Sequence, residues 1–195
     1  MELGDLMHPL MRERWSPRWL DASAVVTDAQ LEAMLEAARW APSYGNSQPA
    51  RYMVGRRGDS TFERIFEVLS RRNQNWARNS AVLMLGIAMT VNHKGTLPLN
   101  EYGLGLATEN LVLQAVAEGL VAHQMGGFNA EGARILFELP PEARPVVVIA
   151  VGKLGDRDAI PDDLRERELA PRRRLPLSEI AFTGSWGNPA LRAER

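Results

Sequence analysis

The fold is decided by two apolar segments, AVLMLGIAM at residues 81–89 and PVVVIAV at residues 145–151. Neither alternates apolar with polar residues, and a continuous apolar run predicts a strand buried on both faces of a sheet. Between them, residues 100–119 are rich in Ala, Leu and Val and are apolar around most of a helical circumference. We therefore expect two core strands and a long helix that is buried by its own domain and by a second subunit.

Shorter elements are expected on either side of this core. Residues 27–40 open with a capping candidate, Thr27 or Asp28, and then carry apolar residues at helical spacing, which predicts an amphipathic helix. Residues 51–55 predict a short strand, and a helix is expected from about residue 60 to residue 70.

These elements predict a single α+β domain over residues 1–195, with a central mixed or antiparallel sheet flanked by helices. Neither an internal repeat nor a low-complexity linker divides the chain. After Gly152 the sequence becomes charged and is interrupted by prolines through Arg174. We interpret residues 153–195 as a C-terminal arm, which we expect to embrace a partner subunit.

The composition excludes several classes of protein. The chain has 23 basic and 24 acidic side chains, so no net field would hold a nucleic acid or an anionic membrane. It has no cysteine, which excludes disulfides, thiolate nucleophiles and cysteine-ligated metals, so redox chemistry needs a bound cofactor. No run approaches the roughly 18 apolar residues that span a bilayer, and no signal peptide is evident. We expect a cytoplasmic protein.

Familiar catalytic signatures are missing from the sequence. There is no HExxH, GxSxG or Walker lysine motif, and His8, His93 and His123 are too scattered to indicate a metal site. Residues 103–108 begin like a dinucleotide fingerprint, but Thr108 stands where the third glycine belongs and the segment lies within a predicted helix. We predict no metal site and no Rossmann domain.

Two basic segments and one polar loop are the candidates for ligand binding. Arg14, Ser16 and Arg18 stand at alternate positions, so an extended chain would point all three to one side, where they could grip an anion. Residues 172–174 are three arginines followed by apolar residues, and residues 43–49 are dense in turn formers. A solvated basic segment and an exposed charged tail remain alternatives, and the residues alone do not choose a ligand.

Taken together, these segments resemble the nitroreductase family of flavoproteins, and the resemblance covers most of the chain. Arg14–Arg18 is similar to that family's Arg-Arg-Ser-x-Arg motif, with Trp15 in place of the second basic residue. Residues 41–49 are similar to its Ala-Pro-Ser and Asn-x-Gln-Pro loop. The remaining similar segments follow in the expected order and are Asn73–Trp76, Glu109–Leu111, Glu118–Leu120, Gln124–Phe128 and Arg172–Pro176.

The resemblance implies an FMN-binding homodimer that uses NADH or NADPH as electron donor. The cofactor-binding residues that it implies are Arg14, Ser16, Arg18, Pro42, Ser43, Asn46, Gln48, Asn73, Gln124, Met125, Gly126, Gly127, Arg172 and Arg174. Arg14, Ser16, Arg172 and Arg174 would contact the phosphate. Arg18 would lie nearer the ring and stabilise the anionic reduced flavin.

The same resemblance divides the remaining residues between two subunits. Pro42–Ser43 and Asn46 would reach the flavin of the other subunit. Asn73 would bond the polar edge of the ring, and Gln124–Phe128 would form the loop beside it. The backbone N–H groups of Gly126 and Gly127 would approach N5, which glycine permits because it has no Cβ. A complete site would therefore need the dimer.

The implied reaction is a ping-pong transfer of hydride from NAD(P)H through flavin to nitroaromatic, quinone or similar acceptors, with no catalytic side chain. His123 is a candidate for a proton donor, and the alternative is the more common role of a packed or hydrogen-bonded histidine. The short connection over residues 92–100 predicts a reduced cover over the substrate. The alternatives are a flavin storage or sensing protein, a dehalogenase- or dehydrogenase-type variant, and a flavin-free interaction protein.

Overall fold

The computed structural model describes residues 6–191 of the protein. Within that range the helices are α1 (Pro9–Glu13), α2 (Asp28–Arg39), α3 (Ser60–Glu67), α4 (Arg71–Ala77), α5 (Asn100–Ala117), α6 (Ala130–Leu136) and α7 (Asp162–Leu169). The strands are β1 (Ala50–Arg56), β2 (Val82–Met89), β3 (Val91–Asn92), β4 (Gly95–Thr96), β5 (Val121–Met125) and β6 (Ala143–Gly152). Short 3-10 turns lie at Tyr44–Asn46, Arg157–Ala159 and Leu177–Glu179.

Four strands form one antiparallel sheet in the order β1-β2-β6-β5, and β3 pairs with β4 in a separate hairpin. The two apolar segments become the central strands β2 and β6, in a register that places Leu83 opposite Ala150. Because each has a hydrogen-bonded neighbour on both sides, the prediction of core strands is confirmed. Of the two arrangements expected, mixed and antiparallel, the sheet adopts the antiparallel one.

Helices cover both faces of the sheet. Side chains alternate along each strand, so the same strand contributes residues to a core on either face. Leu83 and Leu85 point to a core shared with α3, α4 and α6. Val82 and Met84 point to the opposite core, which is shared with α2 and α5. Helix α5 is buried along much of its length, as its composition predicts. The α+β class is therefore confirmed.

Local signals located some helix ends better than others. Thr27 is the N-cap of α2, with its side chain and that of Gln30 forming a reciprocal capping box. The helix expected to run to residue 70 ends instead at Glu67. After the C-cap at Val68 the chain turns and restarts as α4, which was not predicted.

Strand β5 is a correction to the sequence-based prediction for Gln124 and Met125. Both were expected in a loop, but they are the last residues of β5. The strand is only five residues long and lies at a sheet edge, so it includes polar residues and produces no apolar run. The predicted loop begins at Gly126.

The C-terminal segment folds back on the N-terminal one. Leu154 bridges to Leu20, and the indole N–H of Trp19 donates to the carbonyl oxygen of Asp156 at 2.7 Å. Helix α7 follows, so the predicted arm has a helix of its own. Its embrace of a partner stays a prediction, and residues 1–5 and 192–195 of the predicted domain lie outside the described residues. None of the helices in residues 6–191 is long and apolar enough to cross a bilayer.

Candidate functional site

The segment from Arg14 to Arg18 lies beside β5 without regular secondary structure of its own. The Arg14 guanidinium donates to the Ser16 hydroxyl at 3.4 Å, so these two side chains lie on one side, as the alternation predicts. Trp15 and Trp19 face another way and line a cavity of about 300 Å³. Trp15, which stands in the place of a basic residue, therefore packs against the C-terminal arm.

Arg172 brings the far end of the chain to this segment. Its guanidinium donates to the carbonyl oxygen of Arg14 at 2.6 Å and also to that of Arg12. Arg174 makes a different contact, donating to the carbonyl oxygen of Arg173 at 2.9 Å. The structure thus gathers three of the four predicted phosphate residues, Arg14, Ser16 and Arg172.

Helix α5 and strand β5 complete the surroundings of Arg14. Glu109 of α5 lies 3.9 Å from the Nε of Arg14 and accepts a hydrogen bond from Gln124 at 3.2 Å. Gln124 is exposed at the end of β5, whereas Met125 is buried. Of these two predicted residues, Gln124 therefore faces the site and Met125 faces the core.

The glycine turn after β5 is held by residues around the start of α4. The Gly127 carbonyl oxygen accepts from the amide of Ser70 at 3.0 Å and from the Nδ2 of Asn73 at 2.9 Å. A Cβ added at Gly127 would lie 2.9 Å from that Nδ2 and 3.1 Å from the Ser70 hydroxyl. Within the described chain, the N–H groups of Gly126 and Gly127 donate no hydrogen bond. The turn therefore presents unpaired donors, and at Gly127 a Cβ would press on the side chains of Asn73 and Ser70, whereas at Gly126 it would meet open space.

Two buried polar side chains contact the backbone of Pro17 and Arg18. His123 of β5 bonds the Pro17 carbonyl oxygen through Nδ1 at 2.8 Å and packs on Trp76, with ring centroids 4.6 Å apart. Glu168 of α7 accepts from the Arg18 amide with both carboxylate oxygens, at 3.0 and 3.1 Å. Each of these two side chains is 8% exposed.

Burial dominates the electrostatics here. It lowers the pKa of His123 to about 4; the hydrogen bond to Pro17 opposes this shift, and the charge of Arg18 adds to it. Burial also lowers the pKa of Arg18, with Arg167 and Arg72 contributing and Glu168 opposing. His123 is therefore a neutral, packed and hydrogen-bonded histidine at neutral pH.

The second group of predicted residues lies in the turn before β1. Gly45, Asn46 and Gln48 all have positive φ angles, of 54°, 54° and 47°, and the Ser43 hydroxyl accepts from the Gln48 amide at 2.9 Å. Pro42, Asn46 and Gln48 are exposed. The turn is a defined conformation that leaves several polar groups facing outward.

The two groups lie at opposite edges of the sheet. The turn leads into β1 and the glycine residues follow β5, with β2 and β6 between these strands. Three strand spacings separate the edges by about 14 Å, and within residues 6–191 no hydrogen bond or ion pair joins the two groups. One chain therefore brings together the residues near Arg14, and keeps those of the turn apart from them.

Sequence reasoning missed Ser70 and Glu168. Ser70 precedes α4 and could have been recognised as a helix-capping residue type. Glu168 is one of four acidic residues in DDLREREL, and nothing in that pattern singles it out. In the described part of the chain, no group of three His, Asp or Glu side chains could hold a metal ion.

Fold and site together define an α+β protein in which Arg172 of the C-terminal segment is bonded to the segment that holds Arg14 and Ser16. The protein belongs to the nitroreductase family, whose model matches residues 11–84 and 68–153. It is 37% identical over 147 residues to an uncharacterised 15.4 kDa protein in the ask 5′ region of Mycolicibacterium smegmatis, covering 71% of this chain and 99% of that one.

Solved structures agree with this membership. A crystal structure described as an oxidoreductase containing FMN matches with a TM-score of 0.86 at 34% identity, covering 93% of each chain. A nitroreductase family protein from Clostridium difficile 630 matches with a TM-score of 0.71 at 24% identity, covering 90% of this chain and 96% of that one. The second likeness is one of fold.

Proposed function

We propose that this protein is an FMN-dependent oxidoreductase that transfers hydride from NADH or NADPH to nitroaromatic, quinone or similar acceptors by a ping-pong mechanism. The observation that carries the proposal is the convergence of Arg14 and Ser16 with Arg172, which lies more than 150 residues further along the chain. They meet near β5, the strand that ends in a glycine turn with unpaired N–H donors. The 34%-identical oxidoreductase that contains FMN supports the choice of cofactor.

The donor set suits the phosphate of FMN. Two guanidinium groups, from Arg14 and Arg172, offer charge-assisted hydrogen bonds, and Ser16 adds a neutral donor. The exposed Arg174 lies two residues from Arg172 and would join them when the anion binds. A phosphate dianion requires several such partners.

The glycine turn suits the ring of the flavin. The unpaired amides of Gly126 and Gly127 would bind a ring acceptor, and Asn73 keeps the turn in place through the Gly127 carbonyl. Arg18 would stabilise negative charge on the reduced ring. FMN, when bound, supplies the hydride-transfer chemistry; the chain contributes binding, orientation and charge.

The turn from Pro42 to Gln48 would complete the site of a partner subunit. Its distance from the glycine turn of its own chain, about three strand spacings, supports that assignment. We therefore propose a homodimer with two sites at its interface, each using Arg14, Ser16 and Arg172 from one subunit and this turn from the other.

The test of cofactor and donor is a visible absorption spectrum during titration with FMN, followed by anaerobic NADH or NADPH. We expect flavin bands near one equivalent per chain that bleach with either nucleotide and return with a nitroaromatic or quinone. A protein that binds FMN without turnover would be a storage or sensing protein. A protein that binds no FMN would contradict the proposal.

Matched arginine variants test the phosphate assignment. Arg172→Gln should weaken FMN binding by at least about tenfold, because a charge-assisted partner is lost, while riboflavin, which has no phosphate, should bind as before. The neighbouring Arg173→Gln is the control, since its side chain is exposed and contacts none of these residues. Equal effects of the two variants would contradict the assignment.

Subunit complementation tests the shared site. Arg172→Gln removes a phosphate ligand, and Pro42→Glu places a carboxylate in the turn that serves the partner. In a heterodimer of these two variants, one site carries both defects and the other carries neither. We expect refolded mixtures to exceed the activity of either variant alone. No recovery would mean that both groups serve the same subunit's flavin.

A further inference from the structure

We infer that His123 and Glu168 are positioning residues that hold one peptide group, the Pro17–Arg18 peptide, from both of its polar sides and thereby direct Ser16 and Arg18 toward the flavin. The inference rests on the proposed function, because it assigns a purpose to the geometry of the proposed FMN site. Neither side chain would touch the cofactor.

The geometry is that of a clamp on a single planar unit. His123 Nδ1 donates to the carbonyl oxygen of Pro17 at 2.8 Å, and Glu168 accepts from the amide of Arg18 at 3.0 and 3.1 Å. This carbonyl and this amide belong to the same trans peptide group, so they point in opposite directions. Partners on both sides fix the rotation of the peptide plane. A further bond from the Trp19 amide to Glu168, at 3.3 Å, extends the clamp by one residue.

Glu168 binds backbone amides, which leaves the guanidinium of Arg18 available for a ligand. A buried carboxylate beside an arginine would ordinarily bind its guanidinium, but Glu168 instead takes backbone donors from Arg18 and Trp19. In residues 6–191 the Arg18 guanidinium forms no hydrogen bond or ion pair. Its charged neighbours are Arg167 and Arg72, which repel it, and Glu168, which attracts it. A guanidinium without a hydrogen-bonded partner beside two like charges is prepared for an anionic ligand.

The clamp joins the N-terminal segment at Pro17–Arg18 to strand β5 and to helix α7. His123 comes from the edge strand β5 and Glu168 from helix α7 of the C-terminal arm. Arg172, a few residues after α7, holds the same segment at the carbonyl of Arg14. The arm therefore sets the shape of the segment from Arg14 to Arg18, and its docking is coupled to recognition of the flavin phosphate.

The experiment compares the affinity of the apoprotein for FMN and for riboflavin, measured by quenching of flavin fluorescence. Glu168→Gln should weaken FMN binding by about tenfold and riboflavin binding by less. Loss of a negative charge near an anion site would by itself tighten FMN binding, so the direction of the change separates positioning from electrostatics. Glu166→Gln, at an exposed position of the same helix, is the matched control.

Two substitutions of His123 supply the second part of the test. His123→Phe keeps a ring against Trp76 but removes the donor, and it should weaken FMN binding as Glu168→Gln does. His123→Asn places an amide nitrogen near the position of Nδ1 and should restore affinity. The reduction potential of bound flavin should become more negative in the Phe variant only, because Arg18 no longer faces the ring.

The outcomes separate this inference from the proposed function. A wild-type protein that binds no FMN overturns the proposed function and the clamp with it. A wild-type protein that binds FMN, with an unchanged ratio of FMN to riboflavin affinity in Glu168→Gln and His123→Phe, overturns the clamp alone. The double variant should lose less than the product of the two single losses, because both act on one peptide. Should Glu168→Gln fail to fold, the Phe and Asn pair at His123 decides.

Discussion

Acidification from pH 7 to pH 5 should destabilise the protein by about 2 kcal/mol through His123 alone. Burial lowers the pKa of this side chain to about 4, from an ordinary value of 6.5; the bond to Pro17 opposes the shift, and Arg18 adds to it. Between these two values the unfolded chain binds the proton and the folded protein does not. The stabilisation is therefore complete above the unfolded pKa and decreases as pH falls toward 4. Each pH unit in the window costs about 1.4 kcal/mol.

The assay is the free energy of unfolding in urea at several pH values between 5 and 7, for the wild type and for His123→Phe. We expect the curve of the variant to be flatter by about 2 kcal/mol over this range. Carboxylates with lowered pKa values, such as Glu36 bonded to Arg39 and Trp40 with a pKa of about 2, lose their contribution mainly at lower pH. His93→Gln, at an exposed position of the β3–β4 hairpin, is the control. Parallel curves for wild type and His123→Phe would refute the reasoning.

Three further substitutions test the packing of the helices. Gly103→Ala should cost about 1–3 kcal/mol in thermal unfolding, because its Cβ would lie 2.7 Å from the Cγ of Pro49; unchanged stability would contradict this close packing. Thr27→Ala should cost about 1 kcal/mol in urea unfolding, since it breaks the capping box with Gln30, and Thr27→Ser should recover most of it. Gly105→Arg meets open space within its own chain and should convert the proposed dimer to monomers in sedimentation equilibrium; a dimer that persists would remove α5 from the interface.

The elements predicted from sequence are those with a strong local signal. Strand β2 and residues 145–151 of β6 are mostly buried on both faces and are therefore continuously apolar. Helix α2 carries a capping box at Thr27. Strand β5 and helix α4 carry no such signal, because each is short and mixes polar with apolar residues. Their positions depend on pairing with β6 and on packing under the sheet, which are tertiary effects.

The same contrast holds for the site. Arg14, Ser16 and Arg172 were predicted because phosphate recognition demands particular side chains in a recognisable order. Glu168 was not predicted. Its partners are backbone amides, which every residue except proline carries, so no side-chain pattern in the sequence indicates the contact. Strand order places the turn with Asn46 and the segment with Arg14 at opposite edges of the sheet. The sequence does not reveal that order.

The position of the turn at the far edge of the sheet connects the proposed dimer with flavin binding. Asn46 and Gln48 hold positive φ angles in an exposed turn, a conformation that costs free energy and persists only when its surroundings impose it. Pro49 supplies that constraint by packing against Gly103 of α5, so the turn is attached to the helix that we expect a second subunit to bury. In the proposed dimer, a second chain packed along α5 would bring a turn of defined conformation to the partner's Arg14. Dimerisation and cofactor binding should therefore be thermodynamically coupled, each strengthening the other by the same factor.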